Sequence, residues 1–184
     1  MSIKKTISLS TLTLLLAAIV VLPALRAADV PGDSKEVSDL LSQAKTQAIQ
    51  LKTDASDMES FTLSNLSWQS HAAKITEIKE HVNAVGKTVS KLNQAKDTAS
   101  SWQRTAIERV NPVMGELAMN VEVTINHLNK EQGRLLNTEE HKDYLKTNAE
   151  LASKMAAVIT DFVDYGETKA KFEKLTQKLE VAER

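Results

Sequence analysis

The sequence predicts an all-α protein, an antiparallel up-down-up-down four-helix bundle with long helices behind a signal peptide. Three observations lead there. Apolar side chains recur every three or four positions along most of the chain, only five Gly and three Pro interrupt 184 residues, and a basic and then apolar stretch opens the N-terminus. The first is the signature of helices that hide one face. The second leaves few places to turn. The third belongs to an export leader.

Residues 1–27 read as the signal peptide. Lys4 and Lys5 supply the positive start, Ile7 to Leu22 form the apolar segment, and Pro23 and small residues lead to a cut after Ala27. An uncleaved leader is the competing reading, because the apolar segment is close to the shortest that spans a bilayer. Residues 28–33, with Val30-Pro31-Gly32, form a flexible lead-in, and residues 34–184 form one helical domain.

The first helix, about 34–60, is capped by Asp33 or Ser34 and carries Val37, Leu40, Leu41, Ala44, Ala48, Leu51, Ala55 and Met58 on one stripe. Its alanines let a neighbour approach closely. Ser, Thr and Asn crowd the segment from Ser60 to Ser67, where their side chains compete for backbone hydrogen bonds and break the helix.

The second helix, about 65–97, has the clearest pattern: Trp68, His71, Ile75, Ile78, Val82, Val85, Val89, Leu92, Lys96 and Ala99 alternate spacings of three and four. That is a heptad seam, interrupted only by His71 and Lys96, and it calls for slight left-handed winding around neighbours.

The third helix, about 99–131, carries Trp102, Ala106, Val110, Val113, Leu117, Val121, Ile125 and Leu128. Pro112 removes an amide inside it and predicts a kink or short break near Asn111, while Gly133 is placed as its terminator. The fourth helix, about 138–182, has Tyr144, Leu151, Met155, Ile159, Phe162, Phe172, Leu175 and Leu179 as buried candidates. It is longer than its partners, which predicts either a bend at Gly166 or last turns that project past the bundle. Exposed pairs Glu150–Lys154, Glu167–Lys171 and Glu180–Arg184 are spaced to support it. Ser-Trp-Gln recurs at 67–69 and 101–103, but without a third copy a helical-repeat solenoid is disfavoured.

Composition removes several classes of function. With three of its 23 basic residues in the leader, the remainder sets 20 against 24 acidic residues, a net charge of about −4, and no basic run is interleaved with aromatics. Nucleic acid is not an expected partner, nor is membrane once the leader is gone. The absence of cysteine excludes disulfides, thiolate zinc sites, covalent haem attachment and cysteine nucleophiles.

Spacing tests for chemistry come out empty. None of His71, His81, His127 and His141 follows a Glu by three positions, as a di-iron bundle requires. His71 and His81, the nearest pair, are ten residues apart and about 80° out of alignment on one helix. There is no Gly-x-Ser-x-Gly elbow, phosphate-cradling Gly loop or dinucleotide fingerprint. His71, on the apolar seam, is read as a hydrogen-bonded register-setting residue near a bundle end, with a pH switch or ligand as the functional alternative.

No catalytic, cofactor-binding or metal-binding residue and no cofactor is therefore assigned. The expected function is an exported, non-catalytic helical-bundle protein, periplasmic or extracellular, acting through a protein partner or self-association as a structural, adaptor or chaperone-like element. Phe61, Leu63, Leu66 and Val163 are the apolar residues left over for that surface. The alternative is an exported bundle binding haem or a transition metal, with His71 or His141 and Met58, Met114, Met119 or Met155 as nominal haem ligands.

Overall fold

Four helices make up the fold: α1 Lys35–Ser60, α2 Trp68–Gln94, α3 Ser101–Glu131 and α4 Glu139–Ala182. The computed structural model describes residues 32–131 and 136–182, so the leader, its cut and Gly133 lie outside the described residues. The described residues are 91% helix, with no strand among them. No described helix is long and apolar enough to cross a membrane.

Three of the four helices start where a side-chain hydroxyl accepts a free amide. Ser34 Oγ accepts from Val37 N (3.4 Å), and Ser67 Oγ accepts from Ser70 N (3.2 Å). Thr138 Oγ1 accepts from His141 N (3.3 Å). The Ser/Thr-rich break becomes a single 3-10 turn at Phe61–Leu63. A second 3-10 turn, Lys96–Thr98, ends the seam earlier than its heptads suggest, and Lys96 turns outward to pair with Glu108 (2.9 Å).

α1 packs on α2 and α4, and α3 packs on the same two, so the four helices enclose one core. The α1 stripe is buried from Val37 to Met58, and on α2 Ile75, Ile78, Val82, Val85, Val89 and Leu92 are buried. Each fully enclosed Leu or Ile contributes about 1.5–3 kcal/mol relative to exposure. Ala44, Ala48 and Ala55 on α1 are matched by Ala149, Ala152 and Ala156 on α4, and this pair of helices makes the most extensive contact in the fold.

Of the kink or short break expected near Asn111, the break does not form: α3 runs through Pro112 as one helix. Val110 and Val113 are buried on either side, and the Asn111 and Asn93 amides exchange two hydrogen bonds of 2.9 and 2.8 Å across to α2. Packing therefore holds the turns that the lost amide alone would release.

α4 also corrects the sequence reading. Met155 and Ile159 are buried as expected, but Phe172, Leu175 and Leu179 are 70%, 61% and 68% exposed, while Val163, expected on the surface, is in the core. Past Gly166 the helix stays α-helical to Ala182, and every residue from 170 to 181 is exposed, in keeping with the expected alternative of last turns that project beyond the bundle. Gly166 instead makes room for Trp102, whose ring lies 2.6 Å from where a Cβ would stand. Lys154 reaches Glu116 on α3 (3.5 Å), and Lys146 approaches Glu150 (3.8 Å).

Candidate functional site: a three-histidine cluster, a buried carboxylate and an open helix face

Three histidines from three helices meet at one end of the bundle. His71 lies in the first turn of α2, His141 in the first turn of α4, and His127 in the last turns of α3. Trp68 pins this end by donating Nε1–H to the carbonyl of Leu128, beside His127, at 3.0 Å. His71 Nδ1 and His141 Nε2 are 3.1 Å apart, and both residues are buried. The His127 and His141 rings are stacked, with centroids 5.6 Å apart and planes 14° from parallel. Phe61 meets His71 edge-on at 5.3 Å, and Tyr144 meets His127 edge-on at 5.2 Å.

The cluster holds more nitrogen than the protein satisfies. His141 Nδ1 and His127 Nε2 are buried without a hydrogen-bond partner. Burial, and then the neighbouring His71 and His127, depress the His141 pKa to about 4, and burial also lowers that of His71. Both facing rings are accordingly neutral near pH 7, one donating to the other. His71 thus has the partner that its seam position demanded, but that partner is another imidazole.

A second cluster joins α1 to α2. Asp54, 2% exposed, accepts from Lys74 Nζ (2.8 Å), pairs with His81 Nδ1 (2.6 Å) and accepts from Gln50 Nε2 (3.2 Å). Burial alone raises its pKa, but the hydrogen bonds from Lys74, Gln50 and His81 outweigh that and hold it below the ordinary carboxylate value. Among the described residues, Asp54, Glu77 and His81 are the group whose ligand atoms all fall within 4.8 Å, a spacing compatible with a metal ion. The Lys74 ammonium already stands between the two carboxylates, 2.8 Å from Asp54 and 3.0 Å from Glu77, and acts as their cation. The arrangement ties helices together and leaves His81 one-third exposed.

Polar residues also clamp the opposite end. Gln103, fully buried, accepts from Ser34 N (2.9 Å) and Ser100 N (3.0 Å) and donates to Ser34 O (2.8 Å) and Ser38 Oγ (3.0 Å). Beside it, Asp33 accepts from Trp102 Nε1 (2.7 Å) and Lys169 Nζ (2.8 Å). The α4 extension begins at this clamp.

The third feature is the outer face of α4. Tyr144, Leu151, Val158, Tyr165, Phe172 and Leu179 are each seven residues apart. On a helix of 3.6 residues per turn such a line drifts about 20° per heptad. It therefore starts half-buried at Tyr144, Leu151 and Val158, and by Phe172 and Leu179 it faces away from the bundle. At about 100° per residue, Phe172, Leu175 and Leu179 sit roughly 170° around the helix from Ile159 and Val163. A groove beside Val158, Phe162 and Tyr165 continues this apolar face along the bundle.

Sequence reasoning assigned no site residues, and the structure shows where signal was absent. The three histidines come from different helices, so no spacing along the chain marks them. Asp54 sits between Leu51 and Ala55 on an apolar stripe, and that interruption was its legible sign. Of the nominal haem ligands, Met58 and Met155 fill the core and Met119 is 64% exposed. Compared with known proteins, the chain matches no family model, no curated protein and no solved structure.

Proposed function

We propose that the chain is an exported, non-catalytic contact protein, and that its contact element is the outer face of α4 pairing with a second copy of the same helix. In this reading the leader ending at Ala27 delivers an antiparallel up-down-up-down bundle to the periplasm or beyond the cell. The observation that carries it is the exposed apolar line of Phe172, Leu175 and Leu179, continuing from half-exposed Tyr165, on turns that no other described element covers.

A strict seven-residue repeat follows one line only on a helix winding about a partner. A second copy in parallel suits the flanking charges. Taking Tyr165, Phe172 and Leu179 as first positions of the heptads places Asp164 opposite Lys169 of the other copy, whereas antiparallel pairing brings Lys171 against Lys178. Sedimentation equilibrium tests this directly. A dimer that dissociates on Leu175→Glu with Leu179→Glu, without loss of helicity, is expected. A chain that stays monomeric at every concentration overturns self-association, and one that also retains nothing from an envelope extract removes the contact reading altogether.

The three-histidine cluster favours a second reading, an exported bundle that binds a transition metal or haem. A Soret band or stoichiometric metal in native protein supports it. A colourless, metal-free sample that takes up neither on addition removes it.

A further inference from the structure

We propose that His71 Nδ1 and His141 Nε2 are the two principal ligands for one imidazole-preferring divalent cation, Zn²⁺, Cu²⁺ or Ni²⁺, with His127 turning in as the third. The proposal rests on the metal-binding reading above and is independent of the contact reading.

The distance between the two nitrogens is the first ground. Ligands at about 2.0–2.1 Å from one metal stand about 2.9 Å apart in cis square-planar geometry and about 3.3 Å apart in tetrahedral geometry. The observed 3.1 Å lies between them. A cation can therefore be held with the nitrogen spacing kept to within a few tenths of an ångström, once both rings turn so that their lone pairs converge on it.

The second ground is the unsatisfied nitrogen. A closed hydrogen-bond network would leave nothing over, yet His127 Nε2 is buried and unpartnered, a donor atom that a cation held by His71 and His141 would use. Around them stand the rings of Phe61 and Tyr144, with the Tyr144 hydroxyl held by Glu140 at 2.9 Å. Such a shell offers the cation neutral nitrogen donors in a low-dielectric setting, which suits borderline metals and not Mg²⁺ or Ca²⁺.

Coordination then needs only a change of tautomer. The ring that donates in the free protein passes to its other tautomer, its proton moving to the outer nitrogen, and no net proton is released. The His127 ring, 5.6 Å from that of His141, must rotate to contribute, because the three histidines do not bring three nitrogens within 4.8 Å as they stand.

The native chain, stripped by chelator, is titrated calorimetrically with ZnCl₂ and, separately, with CuCl₂. One equivalent is expected to bind. His71→Phe and His141→Phe should each weaken binding about tenfold or more, His127→Phe should weaken it less, and His81→Ala should leave it unchanged. Imidazole ¹⁵N spectra of the unsubstituted chain provide a readout that does not depend on variants folding: the His71 Nδ1 and His141 Nε2 signals move with one equivalent of Zn²⁺ while those of His81 stay. If binding survives both cluster variants and is lost in His81→Ala, the cation sits beside Asp54 and Glu77; this site is then wrong while the metal-binding reading stands. If neither metal binds at all, this site fails and the metal half of that reading with it, leaving haem to the Soret test above.

Discussion

Replacing each of three helical glycines by alanine should give opposite signs for one physical reason. In an open helix, Gly→Ala stabilises by about 0.5–1 kcal/mol, because alanine has less backbone freedom to lose on folding. Gly115 has no atom within 4 Å of its would-be Cβ, and Gly86 meets only the Met114 methyl at 3.6 Å, an ordinary contact. Both substitutions should return that gain. At Gly166 the new methyl would lie 2.6 and 3.0 Å from two ring carbons of Trp102. That ring cannot swing freely, since its Nε1–H is held by Asp33 at 2.7 Å and its face meets Tyr165 edge-on at 5.5 Å. Overpacking of this kind costs about 1–3 kcal/mol, so Gly166→Ala should destabilise by about 0.5–2 kcal/mol net. Urea unfolding followed by circular dichroism at constant m reads all three. In a Trp102→Leu background the same Gly166→Ala should become stabilising, a coupling that a double-mutant cycle isolates. A Gly166→Ala variant as stable as Gly115→Ala would refute the reasoning.

Three further outcomes are expected. Asp54→Ala strips the buried carboxylate from Lys74 and His81 and should lower unfolding free energy by about 3–5 kcal/mol in urea titration, whereas Asp39→Ala, at an exposed pair, should change it by less than about 1 kcal/mol. His141 has a folded-state pKa near 4 against about 6.5 unfolded, so its contribution is complete above pH 6.5 and is lost as pH falls toward 4. That loss is on the order of 3 kcal/mol, and a His141→Leu variant should show a flatter stability profile over the same pH window. Gln103→Leu leaves the Ser34 and Ser100 amides unpaired at the start of α1 and α3, and thermal unfolding should show a loss of about 2–4 kcal/mol.

The helical class and the buried stripes of α1, α2 and α3 were legible because they depend on nearest neighbours along the chain. A side chain three or four residues on lies on the same helical face whatever the tertiary setting, so Val37 to Met58 and Ile75 to Leu92 announce their burial by spacing alone. The helix start at Ser34 was local for the same reason, since a hydroxyl reaches an amide three residues away.

Local rules failed where a second helix decides the result. Pro112 predicts a kink or short break from backbone chemistry, and the break does not form where Val110, Val113 and Asn111 pack the turns on either side. Phe172, Leu175 and Leu179 have spacing suited to burial, yet periodicity says only that residues share a face and not whether any helix covers that face. Gly166 looks like a hinge until Trp102, from a distant stretch of chain, fills the space its missing Cβ leaves.

By itself, then, the sequence determined that the chain is helical and which residues line each helix's inner side, because those properties follow from backbone geometry within a few residues. Only the tertiary structure decided that His71, His127 and His141 share one pocket of side chains, that Asp54 meets Lys74 and His81, and that no other described element covers the end of α4. Those juxtapositions depend on helices separated by tens of residues, and the energy that selects them is packing between faces, which leaves no periodic mark on any one of them.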